Sequence, residues 1–321
     1  MYIAIYHNQD IHHEMLGYLI DFCGAHNYKA DVYWAEYDDT KLNESGESWI
    51  KWYNLYFKGV RNIELVNSER LLHENYDIIF LVTDDNIFYA RYIPEKLYRK
   101  TISIEHWLKT RNILKHKIAV RPYSDGRPVA YPVYDIITID QKLKVMNRER
   151  IQLFLIGRFN APTSHNLLLF EDVDNIDIHY INWEIKDKCK YLQKLPNLYF
   201  HEKMSTCDLM SLLSTGHYIY IEPSYAEGYN GNKLSSLIPL SLSTLCQCII
   251  PESWNNSLNL ITPMLYNDKE YLSPQGQIKL SLKKFYKILP EIEMEKQKLI
   301  KNRNDTFRQV INAVLEESKD A

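Results

Sequence analysis

Short apolar runs alternate with polar or helix-spaced stretches along most of the chain, the rhythm of strands and helices exchanging in a mostly parallel sheet. The first run covers 2–6, and Asp10 then caps a helix whose apolar positions fall at 11, 15, 16, 19, 20 and 23. Further strands are expected at 30–34, 63–66, 76–82, 101–104 and 117–120, and a polar helix at 140–150. At 151–156 the pattern restarts with Ile-Gln-Leu-Phe-Leu-Ile, followed by a loop to 163 and a helix from Ser164. Strands at 176–181, 198–200, 218–221 and 248–250 complete the second series, and a charged helix is expected from 290 to 318.

Two such series in tandem are best accounted for by two Rossmann-like halves. The expected domains are therefore 1–150, 151–289 and a terminal helix at 290–321 able to fold back onto the first half. The segment from Arg121 to Pro132 holds three prolines and one glycine, and is either the crossing between the halves or a functional loop.

Composition narrows the class. A formal net charge of -3 gives no broad basic surface, so nucleic acid is not indicated as a partner. Five cysteines, with only Cys246 and Cys248 close together, suggest reduced buried thiols, and no C-x-x-C pair suggests zinc. The opening run has no basic lead and no apolar run reaches spanning length, so a cytoplasmic protein without a transmembrane segment is expected. His7-Asn-Gln-Asp10 contains no glycine, which removes the dinucleotide fingerprint.

The stretch from Tyr218 to Pro239 carries the most chemistry. Gly216 closes a helix, an aromatic and β-branched strand follows, and a loop containing Gly228 and Gly231 leads into an apolar helix. Free N–H groups at that helix start, with Asn232, Lys233, Ser235 and Ser236 inside one turn, suit a phosphate. A capped helix after a glycine turn is the competing reading.

Two motifs add to it: Ile156-Gly157-Arg158-Phe159 and Pro223-Ser224-Tyr225-Ala226-Glu227-Gly228. In this order they resemble the donor-binding half of retaining GT-B glycosyltransferases. The resemblance implies an α/β fold of two Rossmann-like domains facing a cleft, a nucleotide-sugar donor as co-substrate, and no metal or other cofactor. It also implies that Arg158 contacts the donor diphosphate and that Glu222 or Glu227 lies near the ribose or sugar.

Two departures stand beside the likeness. The lysine expected soon after the arginine is missing from 160–165, leaving Lys233 as a substitute charge. The second glutamate expected eight positions after the first is Ser235 or Asn230, depending on the starting residue.

In the first half, Ile102-Ser-Ile-Glu-His106-Trp107 resembles the family strand whose histidine touches the transferred sugar. His12 or His13 stands where inverting members place a general base, and Asp84 or Asp85 follows a strong strand. His13, His106 and Asp84 are accordingly the candidate catalytic residues. Asp172-Val-Asp174 has the form of a metal-binding pair but falls in a turn. The acceptor is not legible, and Trp49 and Trp52, at helical spacing, read as core. A non-catalytic binding or assembly protein, and a sugar-nucleotide epimerase or phosphorylase, are the alternatives.

Overall fold

The computed structural model describes residues 1–7, 13–34, 44–56, 63–65, 71–82, 93–106, 113–157, 175–182, 197–221, 234–266 and 278–319. The chain divides into two compact units: Met1–Tyr134 with Asn232–Ser236 and Lys298–Ala321, and Asp135–Gly231 with Leu237–Gln297.

In the first unit the strands are β1 (Tyr2–His7), β2 (Lys29–Trp34), β3 (Ile63–Leu65), β4 (Ile78–Val82), β5 (Thr101–Glu105) and β6 (His116–Ala119). They form one parallel sheet in the order β3-β2-β1-β4-β5-β6. Ile3, Ala4 and Ile5 of β1, and every residue of β4, are fully buried, so covering on both faces makes these strands read as unbroken apolar runs. A 3₁₀ turn (His13–Leu16) leads into α1 (Gly17–Ala25), and α2 (Glu44–Tyr56) brings Trp49, Trp52 and Tyr53 into the core.

The second unit opens earlier than the restart of the hydrophobic rhythm at 151, because 135–150 packs with the second sheet. Its α3 (Ile139–Val145) starts with a capping box between Thr138 and Gln141. The helix ends sooner than the expected 150, since the Asn147 side chain accepts from the N–H groups of Glu149 and Arg150 and turns the chain.

Next come β7 (Ile151–Ile156), β8 (Ile176–Asn182), β9 (Leu198–Glu202), α4 (Thr206–Thr215), β10 (Tyr218–Tyr220), α5 (Leu237–Ser243), β11 (Gln247–Pro251), α6 (Glu252–Leu258) and β12 (Met264–Tyr266). The sheet order is β12-β11-β10-β7-β8-β9, again all parallel. The edge strand β12 was not expected from the sequence; three residues are too few to show a pattern.

The terminal helix α7 runs Leu282–Glu317 and contains Pro290, which the sequence reading places at its start. Phe285 and Leu289 are buried in the turns before the proline, and Phe285 packs on the rings of His217 and Tyr218 at 4.9 and 5.5 Å. That burial offsets the roughly 3 kcal/mol that an interior proline costs a helix. Farther along, Phe307 packs on Phe22, Tyr18 and Phe80 within the first unit.

Candidate functional site

Open parallel sheets collect ligands beyond the carboxyl ends of their strands, where the strand order reverses. In the second sheet that point lies between β7 and β10, since β7 leads outward to β8 and β10 leads outward to β11. Leu153 pairs with Tyr218 and Leu155 with Tyr220, so β7 and β10 end side by side. The two motifs, far apart in sequence, therefore begin from adjacent strand ends.

At the first of these ends Gly157 adopts φ 107° while its N–H donates to the Ile181 carbonyl at 3.0 Å. A side chain there would meet no atom within 4 Å, so the requirement for glycine is one of backbone conformation, not space. At the second end the Ile221 N–H donates to the Ile249 carbonyl at 3.0 Å, which fixes the chain up to the residue before Glu222.

Arg158, Glu222, Glu227, Asn232 and Lys233 lie outside the described residues, as does Asp172-Val-Asp174. Ser235 and Ser236 are described; they precede α5 without forming part of it, and Ser235 is buried. The helix itself spans only Leu237–Ser243, shorter than the apolar run from Leu234 suggests.

The reversal in the first sheet lies between β1 and β4, whose last residues, His7 and Val82, are paired. Asp84 comes two positions later and lies outside the described residues. His13 is buried at the start of the 3₁₀ turn, with its ring edge-on to His7 at 5.5 Å. Its carbonyl accepts from the Tyr53 hydroxyl at 2.8 Å, which ties that turn to α2. His7, fully buried at the switch point, is a candidate that the sequence reading passed over. Its signal was its position as the last residue of the first strand.

His106 directly follows β5 and is buried. One strand separates β5 from β1 in the sheet, so these two strands run about 10 Å apart. The Tyr123 hydroxyl donates to the His106 carbonyl, and Arg127 lies over the Tyr123 ring at 5.5 Å. Arg127 also pairs with the fully buried carboxylate of Glu105, which Lys117 approaches at 3.7 Å. Burial draws the Arg121 and Arg127 guanidinium groups below their ordinary pKa.

The proline-rich segment therefore braces the end of β5, with Ala119 bonding to Pro128 and Ala130. The first unit runs on to Tyr134, two residues beyond the last of these prolines.

No group of three or more histidine, cysteine or acidic side chains suited to a metal occurs among the described residues. Nor is any described helix long and apolar enough to cross a membrane. Cys23, Cys246 and Cys248 are free and buried; Cys207, also free, is only half-buried, contrary to the expectation of uniformly buried thiols.

No protein-family model and no curated protein matches the chain. Solved structures do match in fold. AviGT4, a glycosyltransferase involved in avilamycin A biosynthesis, superposes with TM-score 0.58 at 8% identity, covering 97% of this chain and 98% of its own. An O-GlcNAc transferase mutant from Thermobaculum terrenum gives 0.53 at 11%, covering 99% of this chain and 69% of its own. The UDP-GlcNAc 2-epimerase from Neisseria meningitidis, bound to UDP-GlcNAc, gives 0.52 at 10%, covering 98% and 100%. At these identities the likeness establishes the fold: two Rossmann-like α/β units of the GT-B kind.

Proposed function

We propose that this GT-B-fold chain is a glycosyltransferase that moves a sugar from a nucleotide-sugar donor to a hydroxyl acceptor without a metal or other resident cofactor. The observation that carries the reading is the start of both donor motifs from the neighbouring ends of β7 and β10, with Gly157 turning the chain through a left-handed conformation immediately before Arg158. Arg158 and Lys233 would neutralise the leaving diphosphate, with Asn232, Ser235 and Ser236 donating further hydrogen bonds. Glu222 or Glu227 would hold the ribose or sugar.

Chemistry then reduces to positioning and charge neutralisation. The acceptor oxygen attacks the anomeric carbon, the bond to phosphate breaks, and the nucleoside diphosphate leaves. In an inverting reaction His13 takes the acceptor proton, with Asp84 as the other candidate base. In a retaining reaction His106 positions the sugar. The buried His7–His13 pair supports a role for this edge of the first sheet.

A second reading, a sugar-nucleotide epimerase, is favoured by the Neisseria fold match over the full length of both chains. It needs the same phosphate site and no acceptor.

A thermal-shift panel of UDP, GDP, CDP and ADP sugars without added metal tests the donor site. A ligand at about a hundred times its Kd stabilises by about 2.7 kcal/mol, a shift of several degrees. One nucleotide class is expected to raise Tm, and Arg158→Ala to abolish the shift at unchanged apo Tm. Product analysis then separates the reactions: a free nucleoside diphosphate formed only with acceptor supports transfer, and a rearranged nucleotide sugar supports epimerisation. A flat panel, or an Arg158→Ala variant that binds normally, overturns the donor-site assignment.

A further inference from the structure

A second cluster of reactive groups lies in the interior of the second unit, at the amino end of its sheet and away from the strand ends discussed above. Lys142 of α3 is fully buried, and its Nζ donates to the carbonyls of Leu213 at 3.1 Å and Thr244 at 2.9 Å and to Cys246 Sγ at 3.5 Å. The Cys246 thiol itself donates to the Leu213 carbonyl at 3.2 Å, so amine and sulfur share one acceptor and face each other. Among the described residues no carboxylate pairs with this lysine. Burial draws the pKa of this amine below its ordinary value.

We propose that Lys142 and Cys246 are an oxidative modification pair, in which a peroxide converts the thiol to a sulfenic acid and the Lys142 amine condenses with it to a sulfur–nitrogen cross-link. In the first step the sulfur loses two electrons to the O–O bond of hydrogen peroxide, giving S–OH and water. In the second the nitrogen lone pair attacks sulfur, the S–O bond breaks, and the departing hydroxide leaves as water with a proton from the nitrogen.

Two thiol equivalents reverse the cross-link. One attacks sulfur and expels the amine; the other releases Cys246 and forms a disulfide with the first. Sulfenic acids are captured by nearby nitrogen nucleophiles, and the Lys142 amine already stands against the sulfur. The other buried thiols described, Cys23 and Cys248, have no amine among their hydrogen-bond partners in the described residues. The cross-link would fasten α3 to the start of β11 inside one unit.

The test uses the intact chain, fully reduced and then treated with hydrogen peroxide, denatured, alkylated and digested for mass spectrometry. The expected product is a Lys142 peptide joined to a Cys246 peptide, lighter than their sum by two hydrogens and separated again by dithiothreitol. Cys207, half-buried, serves as the reference thiol and is expected to proceed to sulfinic or sulfonic acid. Lys142→Met removes the amine while keeping an apolar body; in it Cys246 is expected to over-oxidise with no cross-link. The proposal is overturned if wild-type Cys246 goes to sulfinic acid or a disulfide, or stays reduced at a dose that consumes Cys207. That wild-type result decides the matter even if the lysine variant does not fold.

Discussion

Gly216 and Gly157 are both indispensable for reasons that differ. Gly216 ends α4 in an extended conformation, φ −90° and ψ 173°, not in the left-handed one that a helix-closing glycine leads one to expect. What excludes a side chain is the ring of Phe154, whose Cε2 would stand 1.8 Å from a Cβ. Gly216→Ala is therefore expected to cost about 1–3 kcal/mol through overpacking, and Phe154→Leu in the same chain to recover part of that loss. Gly157→Ala is expected to cost a comparable amount through backbone strain, which no neighbouring substitution relieves. Urea denaturation of the two single variants and the double variant checks both statements. The Gly157 motif was visible in the sequence because it is local; the Phe154 contact was not, because it joins β7 to the end of α4.

The long helix α7 illustrates how an element is held by groups that its own sequence marks as surface-like. Its composition is charged, and Glu295, Lys296 and Arg303 are buried. Glu295 accepts from the N–H groups of Ile261 and Thr262 at 2.6 and 2.9 Å, where the chain turns towards β12. Lys296 pairs with Asp135 at 2.7 Å and donates to the Ile137 carbonyl. Arg303 meets Asp21 at 2.8 Å and the Val133 carbonyl at 2.6 Å. Each charge is matched by specific acceptors or donors, the condition for burying it at all. Glu295→Ala leaves the two N–H groups without their carboxylate and is expected to lower stability by roughly 1.5–3 kcal/mol. Glu295→Gln, which keeps one acceptor, is expected to lose less. Hydrogen exchange at Ile261 and Thr262 should accelerate in the alanine variant more than elsewhere in the unit.

The whole chain should lose stability in mild acid, and the second unit supplies the reason. His179 is lowered to about 4 by burial and by neighbouring His201, and His217 to about 4 by burial and by Lys142. The folded hydrogen bonds agree with neutral rings: His217 Nδ1 accepts from the Gln152 N–H at 3.0 Å, and His179 lies between Gln152 Oε1 at 2.6 Å and His201 at 2.9 Å. An unfolded chain takes up protons at these histidines near 6.5, the folded one only near 4. Unfolding is thus promoted progressively as pH falls through that window, and the contribution is fully present above it. Equilibrium unfolding free energy measured from pH 7.5 to 4 should decline in this range, and His179→Gln with His217→Gln should flatten the decline even if each lowers stability at neutral pH. An unchanged slope would assign the acid sensitivity elsewhere.

Alternation of apolar runs with helix-spaced stretches was enough to establish tandem parallel α/β units, because strands covered on both faces and amphipathic helices each leave a short-range pattern. The Gly157 turn and the core positions of Trp49 and Trp52 were legible on the same ground. Long-range pairing had to decide the rest. The strand orders put β7 beside β10 and β1 beside β4, and so set the strand ends that lead into the two glycine-containing motifs side by side and gave His7 a place at a switch point. Burial by neighbours distant in sequence carried α7 back through Pro290 to Leu282, and placed Lys142 against Cys246 across about a hundred intervening residues. Such contacts depend on which surfaces meet after the strands have paired, and periodicity within a short window contains no record of that meeting.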